Sequence, residues 1–153
     1  MFRMSMKQFR KISAARKFRG GIVRQRCAVK GGPNQTEARF NSQVLCGRGA
    51  FHPASYTVSR TTSRRYTPDY SWEVNEVPVV IEVKGGYRLP SEQRARLAWE
   101  LAAEANPGTV FVWARFCRGV WDVEAWYRGG RTTSRACVAC MTDMRRLVEE
   151  VLA

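Results

Sequence analysis

Acidic side chains are missing from the first 36 residues of the chain, and the first carboxylate is that of Glu37. The same stretch holds ten Lys and Arg, so its charge is of one sign. Such a segment stays extended on its own and becomes ordered against phosphates, from which it releases counterions. A solubilising tail is the alternative interpretation. We predict a basic N-terminal arm over residues 1–35, followed by a single domain over residues 36–153.

Long apolar runs are also missing. A membrane-spanning helix needs about 18 to 20 apolar residues in a row, and Lys or Arg interrupts residues 1–26 every few positions, unlike the core of a signal peptide. We therefore expect a cytoplasmic protein that does not bind membranes. Its 153 residues carry 26 Lys and Arg against 13 Asp and Glu, a net charge of +13. Because such a surface repels itself, a polyanionic partner is indicated, and nucleic acid fits best.

Zinc ligands are few. The only histidine is His52, and the five cysteines are Cys27, Cys46, Cys117, Cys137 and Cys140. The last two form a C-x-x-C, but the second half of a zinc site is absent from the sequence. We expect free thiols in a reducing compartment and no structural zinc.

Apolar periodicity predicts an α/β (α+β) fold, with a mixed central sheet flanked by helices. Helices are expected at residues 36–45, 91–105 and 142–152. Strands are expected at residues 51–59, 66–74, 77–84, 109–116 and, as an edge strand, 120–127. The strand–helix–strand order from 77 to 116 predicts a crossover and a parallel pair.

Details within these elements are also predicted. Thr36 and Ser91 are expected to cap the first two helices. Apolar ridges are expected at Phe40 and Val44 in the first helix, and at Leu97 and Leu101 in the second. The tryptophans could stack on bases, but we expect most of them in the core or at its rim, and His52 to have no role in the chemistry.

Three side chains combine the properties needed for phosphodiester hydrolysis. Asp69 follows Pro68 at the start of one strand, while Glu82 and Lys84 emerge on one face at the end of the next. Carboxylates that share Mg²⁺ neutralise charge on the reacting phosphate and make a water available as nucleophile. Lys84 beside that cation can orient or deprotonate the water. The alternative is a structural Glu–Lys ion pair on an exposed strand.

Pro68-Asp69 followed by Glu82-Val83-Lys84 resembles the motif of the PD-(D/E)xK nuclease superfamily. The longer strings RYTPDY (residues 65–70) and IEVKG (residues 81–85) resemble the endonuclease I family of tailed phages, which resolves Holliday junctions. The resemblance covers residues 36–114. It does not extend to the C-x-x-C, and the lengths around residues 60–65 and 75–77 depart from the family pattern.

The resemblance implies a restriction-endonuclease-like core and a set of roles. Asp69, Glu82 and the carbonyl of Val83 would bind Mg²⁺, with Mn²⁺ as an alternative, and Lys84 would act on the water. Glu37 would bind or support a second metal, although a glutamate in a first helical turn is also favoured by the helix dipole. The family is a homodimer whose chains exchange elements, so Glu37 of one chain would complete the site of the other, with the strand at 51–59 as the crossing point.

Basic side chains near the motif and in the arm are candidate phosphate contacts. They are Lys7, Arg10, Lys11, Arg60, Arg64 and Arg65. The function expected is a metal-dependent endodeoxyribonuclease that is selective for branched DNA, a Holliday junction resolvase acting in the host cytoplasm if a phage encodes it. The alternatives are a nuclease of the same type with a nicking, restriction or transposon-end substrate, and a non-catalytic basic nucleic-acid-binding protein.

Overall fold

A computed structural model describes residues 31–59 and 64–153. The predicted arm lies outside these residues except for residues 31–35. From residue 33 onward the described chain forms one compact unit. Its helices are α1 (Gln35–Gln43), α2 (Glu92–Ala105) and α3 (Met141–Leu152). Its strands are β1 (Ala50–Phe51), β2 (Tyr56–Thr57), β3 (Arg65–Tyr66), β4 (Tyr70–Val74), β5 (Val77–Lys84), β6 (Val110–Cys117), β7 (Val120–Tyr127) and β8 (Thr132–Val138).

The main sheet is mixed, as predicted. Its six strands follow the order β1-β4-β5-β6-β7-β8, and β2 pairs with β3 in a separate two-stranded ribbon. β5 and β6 are parallel neighbours, joined through α2, whereas the other neighbours are antiparallel. The α+β class and the parallel pair are therefore confirmed.

β5 separates two hydrophobic clusters because its side chains alternate between the faces of the sheet. Val79 and Ile81 pack with residues of α1 and α3, such as Phe40 and Met144. Val80 packs on the opposite face, with residues of α2 and the β2–β3 ribbon. The strand is apolar on both faces because helices cover both.

The turn between β4 and β5 consists of Asn75 and Glu76, as predicted. Both residues have a left-handed backbone, with φ of 51° and 64°. Two such residues match the twist of a tight hairpin. This short turn fixes the register in which β4 and β5 pair, with Tyr70 opposite Ile81.

α1 begins one residue earlier than predicted, and Thr36 is not its cap. Asn34 caps the helix: its Oδ1 accepts hydrogen bonds from the N–H groups of Thr36 at 2.9 Å and Glu37 at 3.0 Å. An asparagine carbonyl reaches these unpaired amides as well as a threonine hydroxyl does. Phe40 and Val44 are buried, which confirms the predicted apolar face.

The predicted ridge of α2 is wrong. Leu97 and Leu101 remain 56% and 39% exposed, while Trp99, Ala102 and Ala103 are buried. Trp99 lies about 200° around the helix from Leu97 and contributes the larger apolar surface. Ser91 precedes the helix but makes no capping hydrogen bond through its side chain, so that predicted cap is also wrong.

Three strand predictions need correction. The strand predicted at 66–74 is divided between β3 and β4, because Pro68 lacks the N–H that a continuous ladder needs. The strand predicted at 51–59 is likewise divided, since β1 pairs with β4 and β2 pairs with β3. β7 is not at the edge, because β8 pairs outside it. The predicted last helix is confirmed at Met141–Leu152.

No helix among the described residues is long and apolar enough to cross a bilayer.

Candidate active site

The candidate site lies at the carboxyl end of β5, on the face that α2 and the ribbon cover. Glu82 follows the alternation set by Val80, so its side chain turns away from α1 and α3 and is only 7% exposed. Lys84, two residues on, emerges on the same face and is partly exposed. A buried carboxylate needs donors or a cation to balance its charge.

Asp69 is fixed beside Glu82 by hydrogen bonds to the residues on either side of it. The Asp69 N–H donates to the Ile81 carbonyl at 3.0 Å, and Asp69 Oδ2 accepts from the Val83 N–H at 2.7 Å. The carbonyl of Asp69 accepts from the His52 N–H at 2.9 Å. The structure therefore brings Asp69 and Glu82 together within one chain.

Both oxygens of Glu82 have a donor. Tyr66 donates its hydroxyl to Glu82 Oε2 at 2.7 Å, and the Lys84 ammonium pairs with Oε1. Burial, together with the charge of Glu82 and the hydrogen bond to it, raises the pKa of Tyr66. The phenol therefore remains protonated and acts as a fixed donor.

The electrostatics around Asp69 favour a cation. Burial, followed by the charge of Glu82, raises the pKa of Asp69 to about 7. The Val83 N–H and the Lys84 ammonium act against this rise, and Glu37 adds to it. Two carboxylates thus share a partly buried space with one ammonium, which leaves an excess of negative charge when both are ionised.

Glu37 lies close enough to influence this site within its own chain. Its charge raises the pKa of Asp69 and also that of Tyr70, which reaches about 12 chiefly through burial. The Glu37 carboxylate is engaged elsewhere, however, because it accepts hydrogen bonds from the backbone N–H of Asn34 at 2.9 Å and from the Asn34 side chain. This reciprocal pair is a capping box.

The donor set at Asp69 and Glu82 suits Mg²⁺. Asp69 and Glu82 supply hard oxygens, and within the described residues Asp69 uses only Oδ2, so Oδ1 remains for a cation. Across residues 31–59 and 64–153, no three acidic, histidine or cysteine side chains form a cluster that could hold a metal. Glu37 is held in its cap, so the first ligands would be Asp69, Glu82 and the Val83 carbonyl.

Space is kept open beyond Lys84. A Cβ placed on Gly85 would meet only Thr36 Oγ1 at 3.9 Å, and one on Gly86 would meet the Phe116 carbonyl at 3.4 Å. Neither glycine has a positive φ. Packing within the described chain therefore does not demand glycine here, whereas the close approach of a ligand backbone would.

Arg115 and Tyr66 belong to this site but were missed from the sequence. Arg115 pairs with Lys84 across the parallel register, donates to the Gly85 carbonyl at 3.1 Å and forms an ion pair with Glu92. The sequence predicted the parallel pair of β5 and β6 but not its register, and only the register places Arg115 beside Lys84. Tyr66 lies in the RYTPDY string. The sequence pattern placed it on one continuous strand with residues 67–74, and that strand did not indicate a contact between Tyr66 and Glu82.

The structure describes only some of the candidate phosphate contacts and cysteines. Arg64 and Arg65 are exposed at the start of β3. The candidate phosphate contacts Lys7, Arg10, Lys11 and Arg60 lie outside the described residues, as does Cys27. The other four cysteines are free and exposed. Trp99, Trp113 and Trp121 are core residues, as predicted.

Neither protein-family models, nor curated proteins, nor solved structures match the chain. The resemblance to PD-(D/E)xK nucleases therefore depends on the quoted residues, and the site depends on its own geometry.

Proposed function

We propose that the chain is a Mg²⁺-dependent endodeoxyribonuclease of the PD-(D/E)xK type that acts on branched DNA. The observation that carries this proposal is that Asp69, just before β4, hydrogen-bonds to the residues on either side of Glu82, while the Lys84 ammonium pairs with Glu82 itself. Two carboxylates and a lysine meet at an open strand end, followed by glycines that leave room for a substrate. A purely structural ion pair would not need Asp69 there.

Each residue has a chemical role in this proposal. Asp69, Glu82 and the Val83 carbonyl would hold Mg²⁺, which supplies charge neutralisation at the phosphate and makes water a better nucleophile. Lys84 orients the attacking water from its position on Glu82. Tyr66 fixes the Glu82 carboxylate. The water oxygen bonds to phosphorus and its proton passes to solvent, while the bond from phosphorus to the leaving deoxyribose oxygen breaks and that oxygen takes up a proton from solvent to leave as a hydroxyl.

The substrate and the assembly rest on the resemblance. Branched DNA is favoured because the RYTPDY and IEVKG strings resemble junction-resolving nucleases. A homodimer belongs to the same proposal, but Glu37 already affects Asp69 within one chain. An exchange of elements is therefore not needed to bring Glu37 near the site.

The proposal is tested by cleavage of a labelled four-way junction and of matched linear, mismatched and flap DNA with Mg²⁺. We expect Asp69→Asn and Lys84→Ala to lower the cutting rate at least about a hundredfold, because each removes a group that acts at the reacting phosphate. Binding of Asp69→Asn should persist or tighten, since a repelling charge is gone. Glu73→Gln is the control: it removes an exposed carboxylate from the same hairpin, opposite Pro78.

Undiminished cutting by Asp69→Asn would show that the site is misassigned. A preference for plain linear duplex would retain the nuclease but exclude the resolvase. Binding without cutting by the wild-type chain would favour the second candidate, a non-catalytic basic nucleic-acid-binding protein, which the net charge of +13 supports equally well.

A further inference from the structure

A groove lies between α2 and the β2–β3 ribbon, on the sheet face that carries Glu82. Its volume is about 310 Å³. Three arginines and four apolar residues line it: Arg64, Arg65, Arg94, Val58, Leu97, Ala98 and Leu101. We call this surface the arginine–leucine groove.

The arginines of the groove lack carboxylate partners within the described residues. None of the ion pairs there involves Arg64, Arg65 or Arg94, and no acidic residue lines the groove. A second cleft differs, because three of its four arginines form ion pairs and only Arg88 does not within the described residues. There Arg96 pairs with Glu124, Arg115 pairs with Glu92 and Arg135 pairs with Asp122. Three unpaired positive charges side by side favour an anionic ligand.

The leucines of the groove add a second requirement. Leu97 and Leu101 leave 56% and 39% of their surface in water, although α2 already buries its other face through Trp99. Apolar side chains beside uncompensated arginines suit a ligand with both charged and flat apolar parts. A nucleic-acid strand with bases outside a regular stack has both, and leucines are known to wedge against such bases.

The groove adjoins the candidate active site through one residue. Arg65 lies in the groove, and the next residue, Tyr66, turns inward to donate its hydroxyl to Glu82. A strand held along the groove would therefore be led to the carboxyl end of β5. This continuity favours nucleic acid over a second copy of the chain as the occupant.

We propose that the arginine–leucine groove binds a DNA strand beside the cleavage site, with its arginines on phosphates and its leucines against unpaired or unstacked bases. This inference rests on the proposed function and gives it a physical source of preference for branched DNA. Regular duplex would use the arginines alone, whereas a branch or single strand would use both parts.

The role proposed for the arginines, the arginine half of the proposal, is tested by measuring DNA binding. The full chain carries Lys84→Ala and Mg²⁺ is left out, so that no cutting occurs. The probes are a labelled four-way junction, a linear duplex and a single strand, titrated with salt. R64Q/R65Q/R94Q should weaken binding to all three and reduce the salt slope by about two to three units, at ~0.9 per phosphate contact. The control R131Q/R145Q/R146Q removes three exposed charges elsewhere, two of them on α3 across the sheet.

The role proposed for the leucines, the leucine half of the proposal, is tested by measuring how L97Q/L101Q binds the same three probes. Both positions are exposed, so the fold should survive, which circular dichroism checks. We expect duplex binding to be unchanged, while affinity for the junction and the single strand falls about fivefold, the low end of a base-stacking contact.

Equal effects of the two triple variants would overturn the arginine half. Equal loss of duplex and junction binding in L97Q/L101Q would overturn the leucine half. Dissociation of a dimer by L97Q/L101Q, with DNA binding intact, would instead make the groove a contact between copies. Failure of the proposed function would give a different result: the wild-type chain would bind DNA through the groove but would not cut it.

Discussion

At the scale of single residues, Glu82 is held by one neutral donor and one charged donor. Tyr66 is itself buried, so its hydroxyl cannot exchange its partner for bulk water without a cost. The tyrosine therefore sets the direction in which the carboxylate faces Asp69 and, in the proposed nuclease, would face Mg²⁺. It acts through Glu82 and is a positioning residue.

Replacing Tyr66 by Phe should raise the Mg²⁺ concentration needed for half-maximal cutting, because Glu82 loses the bond that orients it. We expect about a tenfold effect, comparable to loss of an outer-shell partner. DNA binding without metal should not change. The measurement is the cutting rate against Mg²⁺ concentration, with Tyr56→Phe as the control, since Tyr56 packs beside the same cluster. An unchanged metal dependence would contradict the role.

Asp69 should make metal-free stability depend on pH. Its pKa is raised to about 7 in the folded chain, from an ordinary value of 3.8, so the folded state binds a proton that the unfolded state has released between these values. Stability should therefore fall as pH rises from 5 to 7.5, by about 1 kcal/mol or more. The lowered pKa values of Asp122, Glu124 and Asp143 act below this window.

The measurement for Asp69 is thermal unfolding from pH 5 to 7.5 in EDTA and in Mg²⁺. Mg²⁺ should flatten the curve because it binds the ionised carboxylate, and Asp69→Asn should flatten it without metal. A slope that persists in Asp69→Asn would assign the effect to another group.

At the scale of elements, the sequence predicted what strong periodicity controls. Apolar runs and turn chemistry predicted β5, β6, α3 and the turn at Asn75–Glu76. This turn then brings Asp69 close to Glu82. The rotation of α2 did not follow, because Leu97 and Trp99 compete for the core and only packing against Phe111 and Trp113 decides between them. β8 was missed because its alternating polar residues read as a loop.

Parts of the candidate site were beyond sequence reasoning for the same reason. The partnership of Arg115 with Lys84 exists only through the parallel register, and the groove exists only because α2 turns its leucines outward. The capping box that holds Glu37 begins at Asn34, outside the predicted helix. The first two of these features depend on how two elements meet, whereas the capping box is local to one helix end.

At the scale of the whole molecule, the net charge is distributed unevenly along the chain. Ten of the thirteen net positive charges belong to residues 1–30, which contain no carboxylate. The rest of the chain therefore carries a net charge of only +3. We expect general attraction to DNA to come mainly from residues 1–30, and the proposed arginine–leucine groove to set the position along the DNA.

Removing residues 1–30 should consequently weaken DNA binding at low salt and flatten its dependence on salt, with a change of up to about nine units if every cation meets a phosphate. Preference for the junction over the duplex should remain, because the groove is intact. Fluorescence anisotropy across a salt series measures both. A truncated chain that loses its preference but keeps its salt slope would contradict this division.

The two-residue turn between β4 and β5 has a consequence for how the chain folds. Asp69 and Glu82 are only thirteen positions apart, so a local hairpin can bring them together in microseconds, whereas the pairing of β5 with β6 must wait for closure of a longer loop through α2. Mutual repulsion of the two carboxylates thus opposes an early event in folding. Protons or Mg²⁺ would speed formation of this hairpin, so in the proposed nuclease the metal would also promote the folding of its own binding site.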